Sequence, residues 1–208
     1  MNSPFFSIIC PSYLGHYNNA AKDRDNKIVR MIESVMTQTF QDFELLIIAD
    51  GCKKTMEICE PYFYEYLPKI RLFEIEKQKI WSGAVRNAGI SMAKGEWITY
   101  IDNDDMYGEN HLQIIHDNVK EFDWVYADHL TFDKKSNTFV PYNTDIDTYG
   151  RCGTSSISHK RALNAYWHSN NYSHDKVFID TLKVLSKNYG RIPQTEYKVC
   201  HAPNQFDV

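Results

Sequence analysis

The sequence predicts an α/β protein built on a mixed, mostly parallel sheet flanked by helices on both faces. Two observations carry this. Across the first half, short apolar runs alternate with stretches of helical spacing, a β-α-β-α-β-α-β-α rhythm that favours parallel strands joined by helices. Carboxylates also stand directly after apolar runs, at Asp50 and at Asp102, Asp104 and Asp105. In open sheets of this kind ligands bind beyond the carboxyl ends of the strands. The turns at residues 11–13, 50–53 and 102–105 are therefore expected on one rim.

Residues 5–10 read as a first strand, stopped by Pro11. Ile28, Met31, Ile32, Val35 and Met36 then follow the i, i+3, i+4, i+7, i+8 spacing of a helix. Residues 43–49 are almost continuously apolar, as a strand covered on both faces should be. A helix is expected over 55–66 despite Pro61, and a strand over 70–75. Ser82 is placed to cap a helix reaching 92–94, with Gly95 supplying a left-handed residue beyond its end. Residues 96–101 form a fourth strand, and Asn110 caps a helix whose apolar face is Leu112, Ile115, Val119 and Phe122. The second half is less regular. Residues 124–132 and 138–142 suggest a hairpin, 159–168 and 175–188 suggest helices, and 197–200 a last strand.

Composition narrows the function. The 208 residues are 43% hydrophobic and carry a formal net charge of −4, which suits a globular domain with no general pull on nucleic acid. The densest basic clusters, Lys53-Lys54, Lys77/Lys79 and His159-Lys160-Arg161, are short and read as solvated faces. The first basic residue is Lys22, and no apolar run approaches the roughly 20 residues that span a bilayer. Five cysteines without C-x-x-C spacing suit a reducing compartment. A cytoplasmic protein is expected, and a homo-oligomer is compatible with the composition. No linker or repeat divides the chain, so residues 1–208 are expected to form a single domain.

Three carboxylates in the four residues Asp102-Asn103-Asp104-Asp105 repel one another, and a divalent cation with oxygen ligands relieves this. A solvated turn is the competing reading. Asp50 is placed to accept from a nucleobase or ribose, or simply to make an Asp-Gly turn. Asp175 sits where a helix begins, as a dipole-stabilised carboxylate or a plain N-cap. His201 is a lone histidine after a short strand, a metal ligand or a surface residue. Dinucleotide, P-loop, zincin and nucleophile-elbow motifs are absent.

Taken together, these segments resemble glycosyltransferase family 2, with its Rossmann-like GT-A fold. The resemblance rests on Phe6-Ser7-Ile8-Ile9-Cys10-Pro11-Ser12-Tyr13, on Gln38-Thr39-Phe40-Gln41-Asp42-Phe43-Glu44, and on Arg86-Asn87-Ala88-Gly89. Ala93-Lys94-Gly95-Glu96-Trp97-Ile98 and the D-x-D-like Asp102-Asn103-Asp104 complete it. It is dense over residues 5–107 and sparse beyond, at Gly153-Thr154-Ser155, His174-Asp175 and the terminal Tyr-x-x-x-His.

The resemblance implies an inverting transfer of sugar from a nucleotide-sugar, a UDP-sugar above all, to a hydroxyl acceptor. Residues 1–107 would bind the nucleotide and 108–208 would serve the acceptor and base. Pro11, Ser12 and Tyr13 would line base and ribose, Asp50 would accept from the base, and Arg86, Asp102 and Asn103 would shape the nucleotide pocket. Asp104 and His201 would hold Mn2+ or Mg2+, and Asp175 would be the catalytic base. Three departures stand out: Ala49 precedes Asp50 where the family has Asp, His174 replaces its Glu, and the chain ends seven residues after His201. The last leads to the expectation that an acceptor-binding extension is missing. Competing functions are a sugar-1-phosphate nucleotidyltransferase, disfavoured because residues 11–17 lack Lys and Arg, and a non-catalytic nucleotide-sugar-binding module.

Overall fold

The computed structural model describes residues 3–18, 20, 22–78, 82–168 and 173–200. The alternation read from the sequence is present as β1 (Phe6–Ser12), α1 (Arg24–Met36), β2 (Phe43–Asp50), α2 (Lys53–Glu65), β3 (Ile70–Ile75), α3 (Gly83–Met92) and β4 (Trp97–Tyr100). β5 (Met106–Tyr107), α4 (His111–Asn118), β6 (Trp124–Ala127), β7 (His129–Asp133) and β8 (Thr138–Tyr142) follow. The chain continues through β9 (Ile157–Lys160), α5 (His174–Leu185), β10 (Tyr189–Ile192) and β11 (Tyr197–Val199).

The main sheet has seven strands in the order β10-β6-β9-β4-β1-β2-β3. β4, β1, β2 and β3 run parallel, and β9 is inserted antiparallel between β4 and β6. Alternate side chains of the central strands feed two cores. Ile8, Cys10, Leu45 and Ile47 pack with α1, α2 and α4, whereas Ile9, Leu46, Ile48 and Ile98 pack with α3 and α5. That two-sided burial is why β2 reads as an unbroken apolar run. No helix among the described residues is long and apolar enough to cross a membrane.

Four expectations are corrected. Residues 159–168 are not a helix: 157–160 are β9, followed by a 3-10 turn at Arg161–Leu163. Residues 124–132 do not form one hairpin arm. The chain leaves the main sheet after Ala127, and only β7 pairs with β8, in a second sheet ordered β5-β11-β7-β8. Gly95 is not a left-handed cap, because only Gly51 and Gly150 among the described glycines have positive φ. Its need is space: a Cβ there would lie 2.4 Å from the Ser7 backbone nitrogen. Ser173, not Asp175, holds the N-cap position of α5, so Asp175 is no plain cap.

Candidate active site

The parallel strands β1, β2 and β4 end on one rim, and the chain turns that leave them are tied to each other. Asn103 Nδ2 donates to Ser12 Oγ at 2.9 Å, and Ser12 Oγ lies 3.1 Å from Thr55 Oγ1. Ser12 is buried, so its hydroxyl joins the first turn to the acidic turn. Pro11 and Tyr13 flank it on the half-buried surface.

Asp50 ends β2 almost buried, at 6% exposure. Its Oδ2 accepts from Lys77 Nζ at 2.6 Å and its Oδ1 from the Gln78 backbone N–H at 2.6 Å. The same Lys77 ammonium lies 4.2 Å from the Tyr13 ring centroid, a cation–π distance. Tyr13, Lys77 and Asp50 therefore form one wall. Lys77, read from the sequence as a solvated charge, belongs to the site; its signal was its place just past the end of β3. Gly51 is required here, because with φ +56° a Cβ would also strike Lys77 at 2.6 Å.

Arg86 comes from α3 and is 3% exposed. One guanidinium nitrogen donates to Asp102 Oδ1 at 2.8 Å, another donates to Ser82 Oγ, and the group lies 5.1 Å from the Trp167 ring centroid. Burial raises the Asp102 pKa, Arg86 opposes the rise, and the charges of Asp104 and Asp175 add to it. Because 42% of its side chain stays open, water screens part of these effects. Asn87, next on α3, pairs with the Trp167 backbone in both directions, at 2.9 and 2.8 Å. Trp167 in turn stacks on Phe178 of α5, centroids 4.0 Å apart. Through these contacts α3 sets where α5 begins.

The three carboxylates of the acidic turn have separate environments. Asp105 is 3% exposed and points inward: its Oδ2 accepts from Tyr197 Oη at 2.8 Å and its Oδ1 from the Cys200 N–H at 2.7 Å. Burial, then the charges of Asp104 and Asp102, push its pKa well above the carboxylate range. Asp105 is thus a structural anchor, leaving Asp102 and Asp104 as the candidate metal pair. No group of three His, Cys, Asp or Glu side chains among the described residues is gathered to hold a metal ion. Two carboxylates on one turn still fit Mg2+-type binding, which takes one or two carboxylates and completes its shell from phosphates and water. His201 lies outside the described residues.

Asp175 occupies the first turn of α5. Its Oδ1 accepts from the hydroxyl of Thr154, which stands just before β9, at the carboxyl end of β4, so the carboxylate belongs to the same rim. His174 Nδ1 lies 3.8 Å from Asp175 Oδ1, and burial holds the His174 pKa down against the pull of that carboxylate. A cavity of about 170 Å³ opens beside Asp175, lined also by Tyr149, Gly150, Gly153, Ser173 and Lys176.

Comparison with known proteins gives this rim its family. The model of glycosyl transferase family 2 matches residues 16–176. The chain belongs to that family. The glycosyltransferase GlyG of Streptococcus pneumoniae is 29% identical over 149 residues, covering 70% of this chain and 46% of GlyG. The minor teichoic acid biosynthesis protein GgaA of Bacillus subtilis is 31% identical over 118 residues, covering 54% of this chain and 24% of GgaA. The chain thus spans less than half the length of either relative.

Among solved structures, Staphylococcus aureus TarS residues 1–349 with UDP-GlcNAc is 18% identical with a TM-score of 0.75, covering 96% of this chain and 59% of that one. The mannosyltransferase PcManGT of Pyrobaculum calidifontis, with GDP-Man and Mn2+, is 12% identical with a TM-score of 0.66, covering 95% of this chain and 57% of that one. These likenesses establish the shared fold, and the family 2 GT-A architecture expected from the sequence is borne out. Family 2 membership also sets the nucleotidyltransferase alternative aside.

Proposed function

We propose that this family 2 chain transfers a glycosyl unit from a nucleotide-sugar, preferentially a UDP-sugar, to a hydroxyl acceptor with inversion at the anomeric carbon. The observation that carries the reading is one rim holding Asp50, the Asp102–Asp104 pair and Asp175. In this reading Asp50 accepts from the base beside Pro11, Tyr13 and Lys77, while Ser12, Arg86, Asp102 and Asn103 shape the ribose and diphosphate end. Asp104, with Asp102, would hold Mn2+ or Mg2+, and His201 is proposed to join them. Such an ion, when bound, stabilises the negative charge of the departing diphosphate. TarS solved with UDP and UDP-GlcNAc, and PcManGT solved with Mn2+, support these choices of base and metal.

Asp175 is the base. It takes the proton of the acceptor hydroxyl as the acceptor oxygen bonds to the anomeric carbon. The bond from that carbon to the phosphate oxygen breaks on the opposite face, and the nucleoside diphosphate leaves with its electron pair. The cavity beside Asp175 is the approach for the acceptor, on the 108–208 side of the chain, with residues 1–107 serving the nucleotide.

The test combines calorimetric titration of UDP, in Mn2+ and in EDTA, with UDP release from a panel of UDP-sugars headed by UDP-GlcNAc. Metal-dependent binding with turnover of one donor supports the proposal. Equal affinity in EDTA would remove the metal from it. Tight binding with no turnover of any donor would leave a nucleotide-sugar-binding module.

A further inference from the structure

We infer that Thr154 is a positioning residue for the proposed base, holding the Asp175 carboxylate in the orientation that receives the acceptor's proton. The inference rests on the assignment of Asp175 as base and adds the residue through which its aim is fixed.

Thr154 opens the 3-10 turn Thr154–Ser156, directly before β9. Because β9 runs antiparallel to β4, pairing Ser158 with Thr99, the start of β9 lies at the carboxyl end of β4. The turn therefore reaches the rim from a strand locked inside the sheet. Ser158 Oγ donates to Thr99 Oγ1 at 3.0 Å within that lock, and Thr154 itself is only 4% exposed.

From this fixed point the Thr154 hydroxyl donates to Asp175 Oδ1 at 2.5 Å, across 21 positions of sequence. A threonine hydroxyl has one proton to give, and here it goes to the carboxylate. His174 Nδ1, at 3.8 Å, also faces Oδ1. Oδ2 accepts no hydrogen bond from the described residues. One oxygen is thus held, and the other is left to take a proton. Asp175 and Gly153, the residue before Thr154, both line the cavity, so the bond lies beside the acceptor's approach. A freely turning carboxylate would lose the near-attack geometry on which proton transfer depends.

The experiment measures kcat and KM for UDP release, with water as acceptor, from UDP-GlcNAc or whichever panel UDP-sugar turns over fastest. It compares wild type, Thr154→Val, Thr154→Ser, Asp175→Asn and the Val/Asn double variant, with UDP affinity and melting temperature followed throughout. Thr154→Val should lower kcat about 10-fold or more while donor KM and UDP affinity stay within about 2-fold, because donor binding does not use the base. Thr154→Ser, which restores the hydroxyl, should recover most of the rate. The double variant should be no slower than Asp175→Asn alone, since Thr154 acts only through Asp175.

Thr154→Ala serves in place of Val should the valine methyl prevent folding. Wild-type kcat in Thr154→Val or Ala, no recovery with Ser, or a double variant slower by the full Val factor would each overturn the role of Thr154 while leaving the base assignment intact. Wild-type turnover in folded Asp175→Asn would instead overturn the base assignment, and the role of Thr154 with it.

Discussion

The Cys200 backbone N–H donates to Asp105 Oδ1 at 2.7 Å across 95 positions of sequence. This bond moors β11 to the acidic turn. Tyr197 on the same strand completes the tie, its hydroxyl donating to Asp105 Oδ2 at 2.8 Å and accepting from the Asp102 N–H at 3.1 Å. The expected result of Tyr197→Phe is a loss of about 1–3 kcal/mol, because a buried carboxylate and a backbone N–H both lose a partner. Metal-dependent UDP affinity should fall as well, since the turn that carries Asp104 loosens. Urea unfolding and calorimetry on the one variant measure both, and an unchanged urea midpoint would contradict the tie.

Asp104→Asn removes a charge from the turn while keeping its shape. The difference between UDP affinity in Mn2+ and in EDTA should shrink to near nothing in this variant. Asp102→Asn should weaken binding less but cost stability, because Arg86 is buried and spends one of its hydrogen bonds on Asp102. Calorimetry and thermal melts on the pair separate the two roles. Equal metal dependence in Asp104→Asn and wild type would refute the assignment.

Lys77 joins the Tyr13 ring to Asp50, yet 45% of its side chain is exposed. Its loss should hardly move the melting temperature, since exposed pairs contribute little to stability. Nucleotide affinity is a different matter. Lys77→Met should weaken UDP binding about 3- to 10-fold by freeing the Asp50 carboxylate to turn away from the base. Wild-type affinity in this variant would make Lys77 a bystander.

The legible parts of this molecule are those where one segment suffices. An apolar run followed by a carboxylate marked the ends of β2 and β4, and hence the rim with Asp50 and the acidic turn. Only the family resemblance ranked the identical Asp residues of that turn; residue pattern alone could not, because what separates Asp105 from Asp104 is a strand arriving more than ninety residues later. β9 was misread for a related reason. Ile157-Ser158-His159-Lys160 is short and mixed in polarity, and only insertion between β4 and β6 makes it a strand. Gly95 looked like a helix cap by position, whereas the close approach of the Ser7 backbone determines it. Thr154 stood out in the sequence only within the family-like Gly153-Thr154-Ser155, with no role attached; its bond to Asp175 is visible only in the fold. Several residues of the family-like stretches instead build the fold: Gln38 holds the start of α4 through Gly108 and Leu112, and Glu44 gathers Ser7, Arg71 and the Lys94 N–H.

Two fully buried histidines make the fold sensitive to acid. His111 packs against the Tyr107 ring, centroids 4.1 Å apart, and neither of its ring nitrogens has a hydrogen-bond partner among the described residues. Burial pushes its pKa from 6.5 down to about 3. His159 is equally enclosed, 2.8 Å from Tyr100 Oη, and burial pushes its pKa to about 4. Both pKa values are lower in the folded chain than in the unfolded one. The stability they protect is therefore complete above pH 6.5 and is lost as the pH falls toward 4 and then 3. Between pH 7 and pH 5 each histidine should cost about 2 kcal/mol, at 1.36 kcal/mol per pH unit below 6.5. His111→Phe keeps the ring contact and removes the titration. Its urea midpoint should match or exceed wild type at pH 7 and fall less far than wild type on going to pH 5. A variant that loses as much stability as wild type over that interval would show that the buried His111 ring plays no part in the acid response.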